Sequence, residues 1–349
     1  MKKSTKTARI SGLDLVYGVL LPFIFTVAFV LVLTRNTEVI PRDQFNVVFE
    51  FIAAVFFFIQ GVSMNIHFQN ASRPGKQVRF MRRQGSFFLV VGLVLASFWT
   101  VNIFVAIGLM LIISSFLMRL HSSILLFLAA AVAIASGGLY YFQLEFMVSM
   151  RPYSDGFQIW NSISAFLFYN GYYAFLPWYF FQLIGIAFCR SSLYRTSITV
   201  YVFGFLLIGA GILVHFYGEA HLGQNVLIAR QSNKIPGPSF NLPSFIIAAT
   251  GLSFIALQLG VYFIRQFKEN SIIVFFYQMG KMKYSLLLAQ MILGGILMFL
   301  FGDELFRKPL NLIILSVLFT VVAGYTSKSW LNKNKLGPVE KIFRKFSGK

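Results

Sequence analysis

Apolar residues run along this chain in stretches near helical membrane length, interrupted by short clusters of charge, Pro, Gly and Asn. The stretches fall near 13–34, 45–65, 84–99, 101–119, 121–141, 172–189, 196–216, 242–264, 284–302 and 310–327. A helix crosses the hydrocarbon layer with roughly 20 apolar residues, because each residue advances it by about 1.5 Å. The pattern therefore predicts an all-α, polytopic membrane bundle of about ten transmembrane helices. The third and fourth stretches are separated by little more than SFWTVN, which predicts a tight helical hairpin.

The chain reads as a single transmembrane domain over 1–349, with cytoplasmic tails at 1–12 and 328–349. Two connecting segments are longer than the rest. The 143–170 segment is aromatic and acidic, with an apolar second half too short to span, and is expected to lie at the interface or re-enter. The 217–243 segment is polar and Pro-rich, and is expected to cap a cavity from outside.

Composition agrees with this pattern. Hydrophobic residues make up 57% and charged residues 12%, with mean hydropathy +0.73, outside ordinary soluble usage. The net charge of +19 comes from residues that flank the apolar stretches and carry no nucleic-acid-binding motif. Most of the 30 Lys and Arg fall on one side if the N-terminus is cytoplasmic, and most acids on the other, which predicts both termini inside. The basic MKKSTKTAR precedes an apolar run without a small-residue cleavage pattern, so the first span is expected to be retained. The single Cys189 cannot form an internal disulfide.

Ionisable groups in hydrocarbon are expensive and mark candidate sites. Asp14 opens the first stretch beside Arg9, as a first-turn acid favouring the helix dipole or as part of a site. Glu50 stands one turn into the second, near enough to the outer surface to be hydrated. In VHFYGEAH, His215 and Glu219 share a helical face if the helix persists past Gly218, with His221 beside them. A carboxylate beside an imidazole raises its basicity, so His215, Glu219 and His221 are either a general-base cluster or a solvated helix end. His67 and His121, at inner ends, read as snorkelling or capping residues.

The inner loop HFQNASRPGKQVRFMRRQGS carries Arg73, Lys76, Arg79, Arg82 and Arg83. These cations, with Arg190 and Lys281 on neighbouring inner ends, suit either anionic lipid or the phosphates of a cytosolic cofactor. Trp160, Tyr169, Tyr172, Tyr173 and Trp178 form either an interfacial belt or a sugar-stacking shell. Pro177 is expected to kink the sixth span, and Cys189 to pack as a small residue. No HExxH, CxxC, phosphate-binding Gly-rich loop or GxSxG motif is present, so no metal site is expected.

Four segments carry a resemblance. RISGLDLVYG (9–18) resembles the "R-I-x-x-L-D-x-x-R-G" opening of the domain-of-unknown-function 418 membrane proteins, relatives of the heparan-α-glucosaminide N-acetyltransferase and acyltransferase-3 families. FYNGYYAFLPWYFFQLIGIAFCR (168–190) is similar to their "F-P-W-x-x-x-F-x-x-G-x-x-x-G-R" helix, MGKMKYSLLLAQ (279–290) to "L-G-R-M-x-x-T-x-Y-L-x-Q", and WLNKNKLGPVEKIFRKF (330–346) to the terminal "G-P-L-E-W-x-x-R". Tyr17 stands in place of the family's arginine, Cys189 of a glycine and Lys341 of a tryptophan. No histidine precedes His67, so no catalytic histidine of the first loop is carried over.

The resemblance implies transmembrane acyl transfer, from acyl-CoA held at the cytosolic face to an envelope sugar, glycan or lipid-linked acceptor. The alternative is a transporter or lipid-handling protein without covalent chemistry, which would more often show repeated halves with paired broken helices.

Overall fold

A computed structural model of the chain describes residues 2–33, 42–96, 102–149, 175–191, 197–221, 242–301 and 309–346. Among these residues all regular structure is helical. The helices are α1 (Lys2–Leu33), α2 (Arg42–Gln69), α3 (Pro74–Ala96), α4 (Ile103–Leu117), α5 (Ser122–Ser149), α6 (Phe175–Arg190), α7 (Ser197–His221), α8 (Leu242–Gln266), α9 (Ser271–Lys281), α10 (Lys283–Phe301), α11 (Pro309–Lys333) and α12 (Pro338–Phe346).

Each predicted apolar stretch coincides with a helix. Among the described residues six stretches are long and apolar enough to cross a membrane on their own: Ser11–Val30, Val48–Gln69, Ile198–Tyr217, Pro243–Gln266, Lys283–Phe301 and Leu310–Lys333. Three more apolar helical stretches, Ile103–Leu117, Ser122–Gly137 and Phe175–Arg190, are shorter.

Helices α1 and α2 form the centre. The buried residues of α1 pack against α2, α8, α9, α10 and α11, while α2 packs against α6 and α8. Helix α7 is peripheral, leaning mainly on α8 and presenting Val202, Phe205, Leu206, Leu213 and Phe216 outward, as a lipid-facing helix does. The central helices approach closely because small residues sit where they cross. A Cβ at Gly18 would strike the backbone of Phe276 and one at Gly280 that of Asp14, so α1 and α9 touch at a glycine pair. Gly61 and Gly185 do the same for α2 and α6, each against the other helix's backbone.

The predicted hairpin is present. Gly85 lies against Gly108 and Ile112, and Gly92 against Phe104 and Val105, so α3 and α4 run antiparallel. Asn102 fixes the return: its Oδ1 accepts from the Phe104 N–H at 2.9 Å, capping α4, and its Nδ2 donates to the Gly92 carbonyl at 2.5 Å.

Several expectations are corrected. Positions 2–12 are helical turns of α1, and 328–333 and 338–346 belong to α11 and α12, so the expected tails are largely folded helix. Asp14 is consequently mid-helix, more than three turns from the start of α1, and cannot act as a first-turn acid. Pro177 falls in the first turn of α6, where its missing N–H has no intrahelical partner to lose, so it starts the described helix without kinking it. Pro22 is the interior proline, in α1, where it withdraws the donor owed to the Gly18 carbonyl. Glu50 is 6% exposed and therefore buried, not hydrated. Helix α5 continues to Ser149 and α7 to His221; the remainder of the two long connecting segments lies outside the described residues.

Candidate functional site

A cavity of about 370 Å³ opens where the C-terminal end of α2, the first turns of α3 and α10, and helix α12 meet. Its α2 wall is a stripe at helical spacing, Gln60, Ser63, Met64 and His67, and its α3 wall another, Gln77, Phe80, Met81 and Gln84. From His67 to Gln60 is two turns, so the cavity penetrates about 10 Å into the bundle. Tyr17, Leu111 and Lys283 reach its depth, and Leu336, Glu340, Phe343 and Arg344 close one side.

Beyond Tyr17 the interior becomes aromatic. The Tyr17 ring meets Phe56 edge-on at 5.0 Å, and Phe25, Phe29, Phe57 and Phe181 are fully buried.

The polar groups of this cavity come from separate parts of the chain. Lys283 Nζ lies 3.8 Å from Asp14 Oδ1, with the side chains 14% and 22% exposed. The same ammonium stands 4.1 Å from the centroid of the Tyr17 ring and 5.2 Å from that of Tyr284, a cation held by two aromatic faces and a carboxylate. Position 17 is where the resemblance leads one to expect arginine. Here the tyrosine supplies a ring, and α10 supplies the cation that rests on it.

Glu340 closes the cavity wall by fastening α12 to the start of α10. Its Oε1 accepts from the N–H groups of Tyr284 (2.9 Å) and Ser285 (3.3 Å), and its Oε2 accepts from the Ser285 hydroxyl. The Val339 N–H in turn donates to Ser285 Oγ at 3.0 Å. A carboxylate at the N-terminus of a helix satisfies donors that have no intrahelical partner. Phe343 anchors the other end, packing on Phe88 at 4.7 Å, Phe87 at 5.3 Å and Tyr284 at 5.9 Å.

Three of the four segments that carry the resemblance thus converge here. Asp14 and Tyr17 come from 9–18, Lys283 and Ser285 from 279–290, and Glu340 and Arg344 from 330–346. The fourth, on α6, holds the frame. Arg190 donates from Nε to Asn65 Oδ1 at 2.9 Å, from Nη1 to the Leu120 carbonyl at 2.5 Å and from Nη2 to the Met118 carbonyl at 2.8 Å. It ties the end of α6 to α2 and to the chain leaving α4, using three of the five guanidinium N–H groups. Cys189 beside it is buried, as a small packing residue.

The predicted cation group is divided. Arg73, Lys76, Arg79, Arg82 and Arg83 are all exposed, and the last four lie on the opening turns of α3, not in a loop. At spacings of three and four, Lys76, Arg79 and Arg83 follow one stripe beside the cavity wall. Arg82 turns away, its guanidinium 4.9 Å from the centre of the Phe116 ring on α4. Lys281 lies over Tyr277 at 5.5 Å. His121 caps the start of α5, its Nδ1 3.2 Å from Ser123 Oγ.

His215, Glu219 and His221 are not brought to this cavity. Helix α6 ends beside Asn65, and α7 starts soon afterwards, so the N-terminal end of α7 shares the cavity's face. His215 lies about 27 Å along α7 from Ser197, towards the opposite face. The helix does persist through Gly218 to His221, so 215 and 219 are one turn apart. Of the proposed aromatic shell, Trp178 is 5% exposed and stacks on Phe57 at 6.2 Å, inside the core and closed to a sugar; Trp160, Tyr169, Tyr172 and Tyr173 lie outside the described residues. Among the described residues, no cluster of His, Cys, Asp and Glu is arranged to hold a metal ion.

Residues 9–204 match the family model described as heparan-alpha-glucosaminide N-acetyltransferase, catalytic. That is more than half of the 349 residues. The chain belongs to this family. Residues 206–349 match a second model, described as protein of unknown function DUF418, so the two together run from the first resembling segment to the last residue. No curated protein matches the chain. The boundary falls within α7, yet the cavity draws on both sides of it: α1, α2 and α3 from the acetyltransferase-like part, α10 and α12 from the DUF418 part.

Gln60 and Lys283 are the residues that sequence reasoning passed over. Lys283 lay inside a resembling segment, and Gln60 was a lone amide in the apolar run FIAAVFFFIQGVSM. An uncompensated polar group within such a run was the available signal.

Proposed function

We propose that this protein is a transmembrane acyltransferase. It takes an acyl group from acyl-CoA at the cytosolic face of the bacterial cytoplasmic membrane and passes it to a sugar or glycan of the cell envelope. The observation that carries this reading is the cavity itself: a largely apolar pocket with a few polar groups that enters the bundle from one face, lined by Arg344 of α12 and next in helical register to the exposed cations of α3. Lys76, Arg79, Arg83, Arg73 and Arg344 suit the phosphates of CoA, since charge-assisted contacts to phosphate need clustered Arg and Lys. The narrower interior, with Gln60, Ser63 and Tyr17, suits an uncharged arm.

Transfer requires an acceptor hydroxyl or amine to attack the thioester carbonyl. The carbon–sulfur bond breaks, CoA leaves as the thiol, and a base takes the acceptor's proton. In this reading His215, with Glu219 and His221, serves only acceptor binding at the far end of α7, because a base must stand within hydrogen-bond reach of the attacking group and His215 does not reach the cavity. The reading requires the acyl group to pass the buried aromatic residues around Phe56. Arg190 acts as a positioning residue that holds α2, α4 and α6 in register.

The test is acyl transfer in proteoliposomes given labelled acetyl-CoA on the side of the termini and envelope glycan on the other. The expected result is label on the acceptor, with Lys76→Ala plus Arg83→Ala lowering kcat/KM roughly tenfold or more through lost phosphate contacts. No transfer, together with uptake of an envelope precursor, would replace this reading with a transporter.

A further inference from the structure

The interior of the cavity holds a group that nothing among the described residues satisfies. Gln60 is 2% exposed and lines the cavity, and neither its Oε1 nor its Nε2 has a hydrogen-bond partner. Three other buried carboxamides in the bundle are each bonded at one atom at least, although Gln182 Oε1 and Asn65 Nδ2 have no partner. Gln182 donates to Ser114 Oγ at 2.9 Å, Gln290 to the Phe25 carbonyl at 3.2 Å, and Asn65 accepts from Arg190. A buried carboxamide bonded at neither atom presents a donor and an acceptor side by side, and buried polar groups are ordinarily paired.

The surroundings narrow what would pair with it. Of the two lining cations Arg344 belongs to the α12 wall, and Lys283 is already matched by Asp14 and by the Tyr17 ring, so little uncompensated charge is left near Gln60 to offer an anion. Ser63, Met64, Phe80 and Met81 add a hydroxyl and apolar walls. The complement to an adjacent donor and acceptor in a neutral, partly apolar slot is another amide. Its N–H would donate to Gln60 Oε1 and its carbonyl would accept from Gln60 Nε2.

We propose that Gln60 is the residue of this cavity that reads a secondary amide on the ligand. Resting on the acyl-transfer reading, that amide belongs to the pantetheine arm of CoA, inserted with its phosphates left at the α3 mouth. An N-acylated sugar carries the same chemistry and would make Gln60 an acceptor-binding residue instead.

The experiment is calorimetry on the full-length protein in detergent, titrated separately with CoA, adenosine 3′,5′-bisphosphate and N-acetylglucosamine. The variants are Gln60→Met, close in volume and unbranched, and Gln60→Asn, which keeps the amide but withdraws it. Wild-type protein is expected to bind CoA. Q60M should weaken CoA about tenfold, the effect of one lost pair of hydrogen bonds, and Q60N by less. The bisphosphate, which lacks the arm, should bind both variants as it binds wild type.

Unchanged CoA binding by Q60M and Q60N, with wild-type melting curves, overturns the assignment of Gln60 and leaves the acyl-transfer reading standing. Absence of CoA binding to the wild type overturns both. Binding of N-acetylglucosamine that Q60M abolishes, with CoA unaffected, overturns the assignment to the donor arm.

Discussion

Lys283 and Asp14 form a partly buried ion pair beneath which the Tyr17 ring lies flat to the ammonium. Removing one member leaves a charge in a poorly hydrated place, whereas removing both leaves none. Asp14→Asn should therefore destabilise the protein by about 2 kcal/mol, between the limits for exposed and buried pairs, and the Asp14→Asn, Lys283→Met double variant should recover most of that loss. Melting curves of the two single variants and the double variant, set out as a cycle, check this. Arg190 makes a different demand. Its separate donors reach Asn65, Met118 and Leu120, a fork that an ammonium cannot reproduce, so Arg190→Lys should cost about 2 kcal/mol despite keeping the charge. Sequence alone showed Asp14 and Arg190 as notable residues and gave neither its partner, because Lys283 and the α4 carbonyls arrive from distant parts of the chain.

Among the elements, helix crossings depend on missing side chains. Gly61 and Gly185 each face the backbone of the opposite helix, which cannot swing aside as a side chain can. Gly61→Leu should cost at least about 3 kcal/mol and deplete folded protein, read by size exclusion after extraction. Gly209, on the peripheral α7, has nothing near its Cβ position; Gly209→Ala should be neutral or stabilising by up to about 1 kcal/mol.

The C-terminal helix depends on Glu340. Glu340→Ala should release α12 from α10 and expose the Phe343 pocket, detected as faster proteolysis near Asn334 with little change in the rest of the bundle. The helices at the ten apolar stretches were legible from hydropathy and the α3 and α4 hairpin from the brevity of SFWTVN, whereas the short amphipathic α9 lies between two of those stretches and was not. Nor was the folded nature of both ends. Polar sequence such as KKSTKTAR and PVEKIFRKF looks like a tail until a partner is known, and for the latter the partner is the bare N-terminus of α10.

For the whole molecule, the segments that carry the family resemblance are parts of one construction. Tyr17, Lys283 and Glu340 line a single cavity, Asp14 and Ser285 contact these residues, and Gly185 and Arg190 of the remaining segment hold the helices that frame it. This explains why the candidate site was only partly readable. The cations on α3 were visible as a cluster, but burial and direction sorted them into a stripe near the cavity and an Arg82 turned to Phe116.

The histidine cluster was visible too, and lies at the opposite end of α7. The account therefore centres on donor binding in the cavity, and calorimetric titration of the purified full-length protein with acetyl-CoA tests it most directly. Saturable binding is expected, weakened by added salt as exposed cation–phosphate contacts require and further reduced by Lys76→Ala with Arg83→Ala. Binding that is absent, or that is indifferent to both salt and these substitutions, would contradict it.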